Sequence, residues 1–203
     1  MAIEDRKQRE KEQMKRLILD TAREIFLEKG YNQTSIRNIA DKIEYSPGTI
    51  YLYFKEKDEI FFALHNEAFA KLFSLFEPLA RIKDPFERLK AMGTLYMEFA
   101  IINKDLYDLM FIISAPIDML HDACDWQMGH QVFNTLVHTL AQCQEKGRFK
   151  GKDLRTLAFM IWSGLHGMCA LYCCDRMGVM HDIDEKDMMM KGYKCFEDML
   201  DKM

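Results

Sequence analysis

Apolar residues recur at three- and four-residue intervals along almost the whole chain, as in helices that each bury one face. In the first run Leu17, Ile18, Ala22, Ile25 and Phe26 share a stripe. This predicts a helix from about Arg6 to Lys29, stopped by Gly30. Two short helices follow, from Thr34 or Ser35 to Lys42 and from Ser46 or Pro47 to Tyr53. A longer one is expected from near Lys57 to about Pro78. Asp84-Pro85 opens the next, to about Ile102, with proline at a tolerated first position. A short helix over Leu106–Ser114 should stop before Pro116. Three more are expected, at about Leu120–Gly147, Lys152–Met177 and Asp184–Lys202. Period-two alternation is absent, so the expected class is all-α with about nine helices.

Composition agrees with that class. The 203 residues are 49% hydrophobic and 30% charged, with 10 Gly, 4 Pro and 16 Met, which excludes a disordered chain and disfavours a turn-rich β fold. The six cysteines (Cys124, Cys143, Cys169, Cys173, Cys174 and Cys195) contain no CxxC pair and sit among apolar residues. Reduced thiols in a cytoplasmic protein are expected. The charged start has no apolar core of the kind a signal peptide needs. From Leu157 to Cys174 the chain runs 18 residues without a formal charge, about 27 Å as a helix. A helix buried in a bundle or subunit interface is the expected reading, with no membrane partner.

The formal charge of -4 points away from nucleic acid. Residues 1–60 hold 12 Lys+Arg against 12 Asp+Glu, so even the N-terminal segment is neutral. DNA binding here would need a few well-placed cations, hydroxyls and backbone amides. Six basic residues (Arg6, Lys7, Arg9, Lys11, Lys15 and Arg16) crowd the start, where they could track phosphates.

The segment Thr34–Lys57 has the makings of a helix-turn-helix, because only Glu44-Tyr45 separates its two short helices. Ala40 is small where the helices must meet, and Ile36, Ile39, Ile43 and Ile50 are spaced to pin them. Ser46 can cap the second helix, Pro47 suits its first turn, and Gly48 and Thr49 allow close approach to a groove. Thr34, Ser35, Tyr51, Tyr53 and Lys57 supply hydroxyls and a cation for phosphates. Arg37 and Tyr45 complete the candidate DNA-binding set.

These residues resemble the TetR family of bacterial transcriptional regulators. The likeness rests on Ala22, Phe26, Gly30-Tyr31, Thr34, Ile36, Ile39 and Ala40, and above all on Ser46-Pro47-Gly48-Thr49-Ile50-Tyr51-Leu52-Tyr53-Phe54 with Lys57. It implies a recognition helix in the major groove, with Thr49, Tyr51, Tyr53 and Lys57 on bases or phosphates. Glu44 departs from it, standing at a turn position that is often Gly in the family; it would cost some stability if the turn needs positive φ. Tyr45 replaces a commoner small aliphatic residue. The implied architecture is a helix-turn-helix domain over 1–56 and an effector-binding and dimerisation domain over 57–203. Gly147-Arg148-Phe149 and Trp162–Gly167 resemble the regulatory domains of some members.

The resemblance further implies a homodimer joined through the last two helices, usually a repressor released from a double-stranded DNA operator by a small-molecule effector. Gly164, Gly167, Leu171, Tyr193, Phe196 and Leu200 are the candidate interface residues. Tyr96, Met97, Met110, Phe111, Trp126, Phe133, Trp162 and His166 are the candidate effector pocket, suited to an apolar or aromatic molecule. The alternatives are a metal- or thiol-responsive regulator and an apolar-ligand carrier without DNA binding. His166, Cys169, Cys173 and Cys174 share one helix face, but a straight helix cannot wrap four ligands around a metal. No metal or other cofactor is therefore expected. HExxH, GxSxG and phosphate-loop motifs are absent, so no enzymatic activity is expected.

Overall fold

A computed structural model describes residues 2–114 and 127–203, with side chains from Glu4 onward. Among these residues there are nine α-helices and no strand. They are α1 (Ala2–Gln33), α2 (Ile36–Lys42), α3 (Pro47–Tyr51), α4 (Lys57–Phe76), α5 (Pro85–Ile102), α6 (Lys104–Tyr107), α7 (Gln127–Glu145), α8 (Leu154–Cys173) and α9 (Glu185–Asp201). The chain divides into two units, Met1–Ala68 with Asp108–Asp125, and Phe69–Tyr107 with Trp126–Met203. The division falls inside α4, beyond the boundary at residue 57 that the sequence suggests.

Local chemistry sets most of the helix starts. Ser35, Ser46, Asp84, Asp153 and Asp184 each accept a backbone N–H of the first turn they precede. Asp84 accepts from both Phe86 and Glu87, at 2.9 Å each, and these bonds hold its carboxyl below its usual pKa. Gly30, at φ 76 and ψ 171, breaks α1 near its end as expected, because that conformation carries no penalty without a Cβ.

Three stretches differ from the periodic reading. α1 begins several residues before Arg6, and Leu17 is 42% exposed while Leu19 is buried in its place. After α4 a 3-10 turn runs from Glu77 to Arg81. The single helix expected over Leu106–Ser114 is instead α6 followed by a π-helical turn, Asp108–Ile112. A π-turn inserts one extra residue and shifts every later side chain around the axis.

In the first unit Ile18, Ala22, Ile25 and Phe26 of α1 are buried with Ile36, Ile39 and Ala40 of α2, Ile50 of α3, and Phe54 and Ile60. Tyr31 stacks on Phe26 at 5.9 Å and meets Phe61 edge-on at 5.4 Å. In the second unit α5 packs against α7, α8 and α9. Gly93 of α5 leaves the space that the Tyr193 ring fills, and the Tyr193 hydroxyl donates to the Lys90 carbonyl at 2.5 Å. Gly164 of α8 does the same for Phe196, whose ring would lie 3.0 Å from an added Cβ.

Candidate nucleic-acid interface and effector site

The turn between α2 and α3 is closed by backbone bonds. The Glu44 N–H donates to the Asp41 carbonyl at 3.3 Å and the Tyr45 N–H to the Ala40 carbonyl at 3.0 Å, the paired pattern that ends a helix on a left-handed residue. Glu44 is that residue, at φ 60. Ser35 and Asn38 form a reciprocal capping box at the start of α2. Ser46 Oγ accepts the Thr49 N–H at 3.3 Å and lies 3.1 Å from the Thr49 hydroxyl.

α3 is thereby held with one face in the core and the other in solvent. Ile50 and Phe54, four residues apart, are buried. Gly48 is exposed, as are Tyr51 at 55% and Leu52 at 79%. Ser35, Arg37, Tyr45 and Ser46 are exposed too, while Pro47, Thr49 and Tyr53 are half-buried. Leu52 was not among the candidates, because an apolar residue next to a helical core stripe reads as core.

Two candidates take structural roles. Thr34 is buried; its hydroxyl donates to the Gly30 carbonyl at 2.8 Å and its N–H to the Tyr31 carbonyl at 3.2 Å. Both donors are thus spent on the α1 break. Lys57 Nζ donates to the Tyr31 carbonyl at 2.9 Å and lies 3.9 Å from the centre of the Tyr31 ring. Tyr31 in turn hydrogen-bonds Asp58, and burial raises its pKa. Lys57 is half-buried and has further N–H donors for a phosphate.

In the second unit α5, α6, α7 and α8 bring Tyr96, Tyr107, Phe133, Trp162 and His166 into one aromatic cluster. Tyr107 Oη lies 2.6 Å from His166 Nδ1, with Tyr96 Oη at 3.4 Å from the same nitrogen. The Trp162 indole N–H donates to Tyr96 Oη at 3.3 Å. Phe133 meets Trp162 edge-on at 6.2 Å, and His166 stacks on Tyr107 at 5.7 Å. Burial raises the pKa of both tyrosines and lowers that of His166, so the cluster is uncharged near neutral pH. An uncharged cluster of this kind suits an apolar molecule with a hydrogen-bonding group.

Met97 is fully buried, with the Cys169 thiol 3.4 Å from its sulfur. Met110 and Phe111 lie in the π-turn, which falls in the first unit. Trp126 lies outside the described residues. Cys173 points at the Ala100 carbonyl, 3.8 Å away. Among the described residues no three His, Cys, Asp or Glu side chains gather as a metal-holding group.

The candidate interface residues divide as well. Tyr193 and Leu200 are buried inside their own chain, and Phe196 packs on Gly164. α9 is amphipathic, and this apolar face serves the chain's own core. Gly167 and Leu171 are exposed on α8, together with Phe159 at 60% and Met160 at 45%; Met199 of α9 is 54% exposed. Phe159 and Met160 escaped sequence reading, since α8 is apolar around most of its circumference. Among the described residues α8 is the one helix long and apolar enough to cross a membrane.

Residues 18–64 match the family model for bacterial regulatory proteins of the tetR family, and residues 89–191 match the Tetracyclin repressor-like C-terminal domain. The chain belongs to the TetR family. A TetR-family transcriptional regulator from Syntrophomonas wolfei str. Goettingen superposes with a TM-score of 0.72 at 26% identity, over 93% of this chain and 95% of that one. The transcriptional regulator FadR from Bacillus subtilis, solved in complex with stearoyl-CoA, gives a TM-score of 0.72 over 88% of this chain and 95% of its own. At 20% identity that likeness is one of fold. The fatty acid metabolism regulator protein of Bacillus subtilis (strain 168) is 44% identical over 50 residues, 25% of this chain and 26% of that protein. Matches to the curated relatives span 20–28% of those proteins' own length.

Proposed function

We propose that this TetR-family chain is a cytoplasmic homodimeric repressor, released from a double-stranded DNA operator by a small, largely apolar effector. The observation that carries the proposal is the two-sidedness of α3. Ile50 and Phe54 anchor it in the core while Gly48, Tyr51 and Leu52 stand in solvent beside the exposed Ser35, Arg37, Tyr45 and Ser46. Gly48 lets the backbone approach base edges, Tyr51 offers a hydroxyl, and Lys57 presents a cation at the start of α4. Thr34 braces this surface from within. The helix-turn-helix domain reads DNA, and the remainder of the chain senses the effector and dimerises.

Dimerisation through the exposed face of α8 (Phe159, Met160, Gly167 and Leu171) would set two recognition helices one DNA turn apart, about 34–36 Å. The effector would sit against the Tyr96, Tyr107, Trp162 and His166 cluster. The relative solved with stearoyl-CoA makes fatty acyl compounds the first class to test. Release follows if the effector binds more tightly to a dimer whose recognition helices no longer match the operator. α4 and the Tyr107–Asp108 junction, each running from one unit into the other, are the routes of that coupling.

The test uses the duplex that the wild-type protein enriches from a randomised pool. Tyr51→Ala should bind this duplex and a scrambled duplex of equal length with nearly equal affinity. Undiminished discrimination would show that α3 is not the reading element.

A further inference from the structure

α1 extends far beyond its packed part. From Glu4 onward Ile18 is the first buried residue of the helix, and residues 4–13 are all exposed. On a helix, positions three and four apart share a face. The face that buries Ile18, Ala22 and Ile25 therefore continues outward as Lys15, Lys11 and Lys7. Its register is anchored at one point by a contact: Lys15 Nζ lies 5.5 Å from the ring centre of Phe54, the buried residue that follows the recognition helix.

The other charges of this extension are engaged differently. Arg6 pairs with Glu10 at 2.7 Å. Arg16 holds Asp20 at 2.7 Å and Glu67 at 2.8 Å. Arg9 donates to the Asp5 carbonyl at 3.3 Å. Glu4 and Glu10 lie one turn either side of Lys7, and Glu12 one turn before Lys15; Glu10 is held by Arg6 and Glu12 accepts from Gln8, at 2.7 Å each. The three ammonium groups thus form a net positive stripe in a segment that is otherwise close to balanced. Lys7 and Lys15 are about 12 Å apart along the axis, the rise of three to four base-pair steps at about 3.4 Å each.

We infer that Lys7, Lys11 and Lys15 form a second, sequence-independent DNA contact, binding backbone phosphates outside the segment read by α3. This rests on the proposal that α3 reads DNA. Lys7 and Lys11 stand in solvent, and Lys15 reaches the core only at the Phe54 ring. Beside a DNA-reading surface the polyanion that matches them is the flanking duplex. Each lysine would displace counterions without reading a base, adding affinity and salt dependence but no specificity.

The experiment compares wild type with the exposed double variant Lys7→Gln, Lys11→Gln, with Lys150→Gln as a control for lost charge. Binding is measured over about 50 to 200 mM salt on the pool-enriched duplex and on its scrambled version, and helicity is checked by circular dichroism. The double variant should lower the slope of log affinity against log salt by about 1.8 per protomer on both duplexes. The ratio between the duplexes should be unchanged, and Lys150→Gln should match wild type. An unchanged slope in the double variant, with the wild-type ratio intact, overturns this inference alone. A wild-type ratio near one, with the slope difference still present, overturns the reading by α3 and leaves the lysine contact standing. Equal slope losses in Lys150→Gln and the double variant would reduce the effect to net charge and overturn the inference.

Discussion

Tyr107 Oη sits 2.6 Å from His166 Nδ1, and the residue after Tyr107 begins the π-turn assigned to the DNA-binding unit. The same hydroxyl donates to the His166 carbonyl at 3.2 Å, so Tyr107 holds both the ring and the backbone of this histidine. Tyr107→Phe removes both contacts and leaves a half-buried ring nitrogen without its closest partner. A loss of about 1 to 2 kcal/mol is expected, read as a melting temperature lower by roughly 2–8 °C. An unchanged melting temperature would mean that these contacts contribute nothing.

Glu44 holds φ 60 at the end of α2, where glycine would carry no Cβ penalty. Glu44→Gly should stabilise the protein by about 1 kcal/mol and raise the melting temperature by a few degrees. Both backbone bonds that close the turn remain available to the variant. Differential scanning calorimetry checks this, and a lower melting temperature would count against strain at Glu44.

The exposed face of α8 is the site of a third prediction. Phe159→Glu with Leu171→Glu places two carboxylates where Phe159 and Leu171 now stand in solvent. The single chain has no reason to unfold, but a paired copy would have to bury those charges. Light scattering should report a dimer for wild type and a monomer for the double variant, with operator affinity lost in parallel. A double variant that remains dimeric would place the interface elsewhere.

His65 of α4 is buried, and burial depresses its pKa to about 4 against a hydrogen bond to the Met110 backbone. Above pH 6.5 the ring is neutral folded or unfolded, so it contributes no pH dependence. As pH falls from 6.5 towards 4, the unfolded chain takes up a proton that the folded one refuses, and stability drops. Between pH 7 and 5 this amounts to about 2 kcal/mol. Denaturant midpoints of wild type and His65→Leu, taken at both pH values, should show the smaller acid loss in the variant. Equal losses would mean that His65 is not the residue that titrates.

The parts of this molecule that were legible in the sequence are those set by short-range chemistry. Ser46 capping α3, Asp84-Pro85 opening α5 and Gly30 breaking α1 each act on backbone groups within a few residues, so the signal and its effect are adjacent. The helix-turn-helix was legible for the same reason. Long-range choices were not. Periodicity gives α9 an apolar face, but not whether Tyr193 and Leu200 turn it towards their own core or a second copy. Leu17 and Leu19 are equally apolar, and only the packing of α1 exposes one and buries the other. The π-turn at Asp108–Ile112, which carries Met110 and Phe111, has no compositional mark.

Selection of duplexes from a randomised pool by the purified wild-type protein tests the central claim most directly. Enrichment of a twofold-symmetric sequence is expected, with half-sites centred about one helical turn or a multiple of it apart. Tyr51→Ala, carried through the same selection, should enrich nothing. A pool left unenriched by the wild-type protein, or one enriched equally well by Tyr51→Ala, would contradict a dimer that reads DNA through α3.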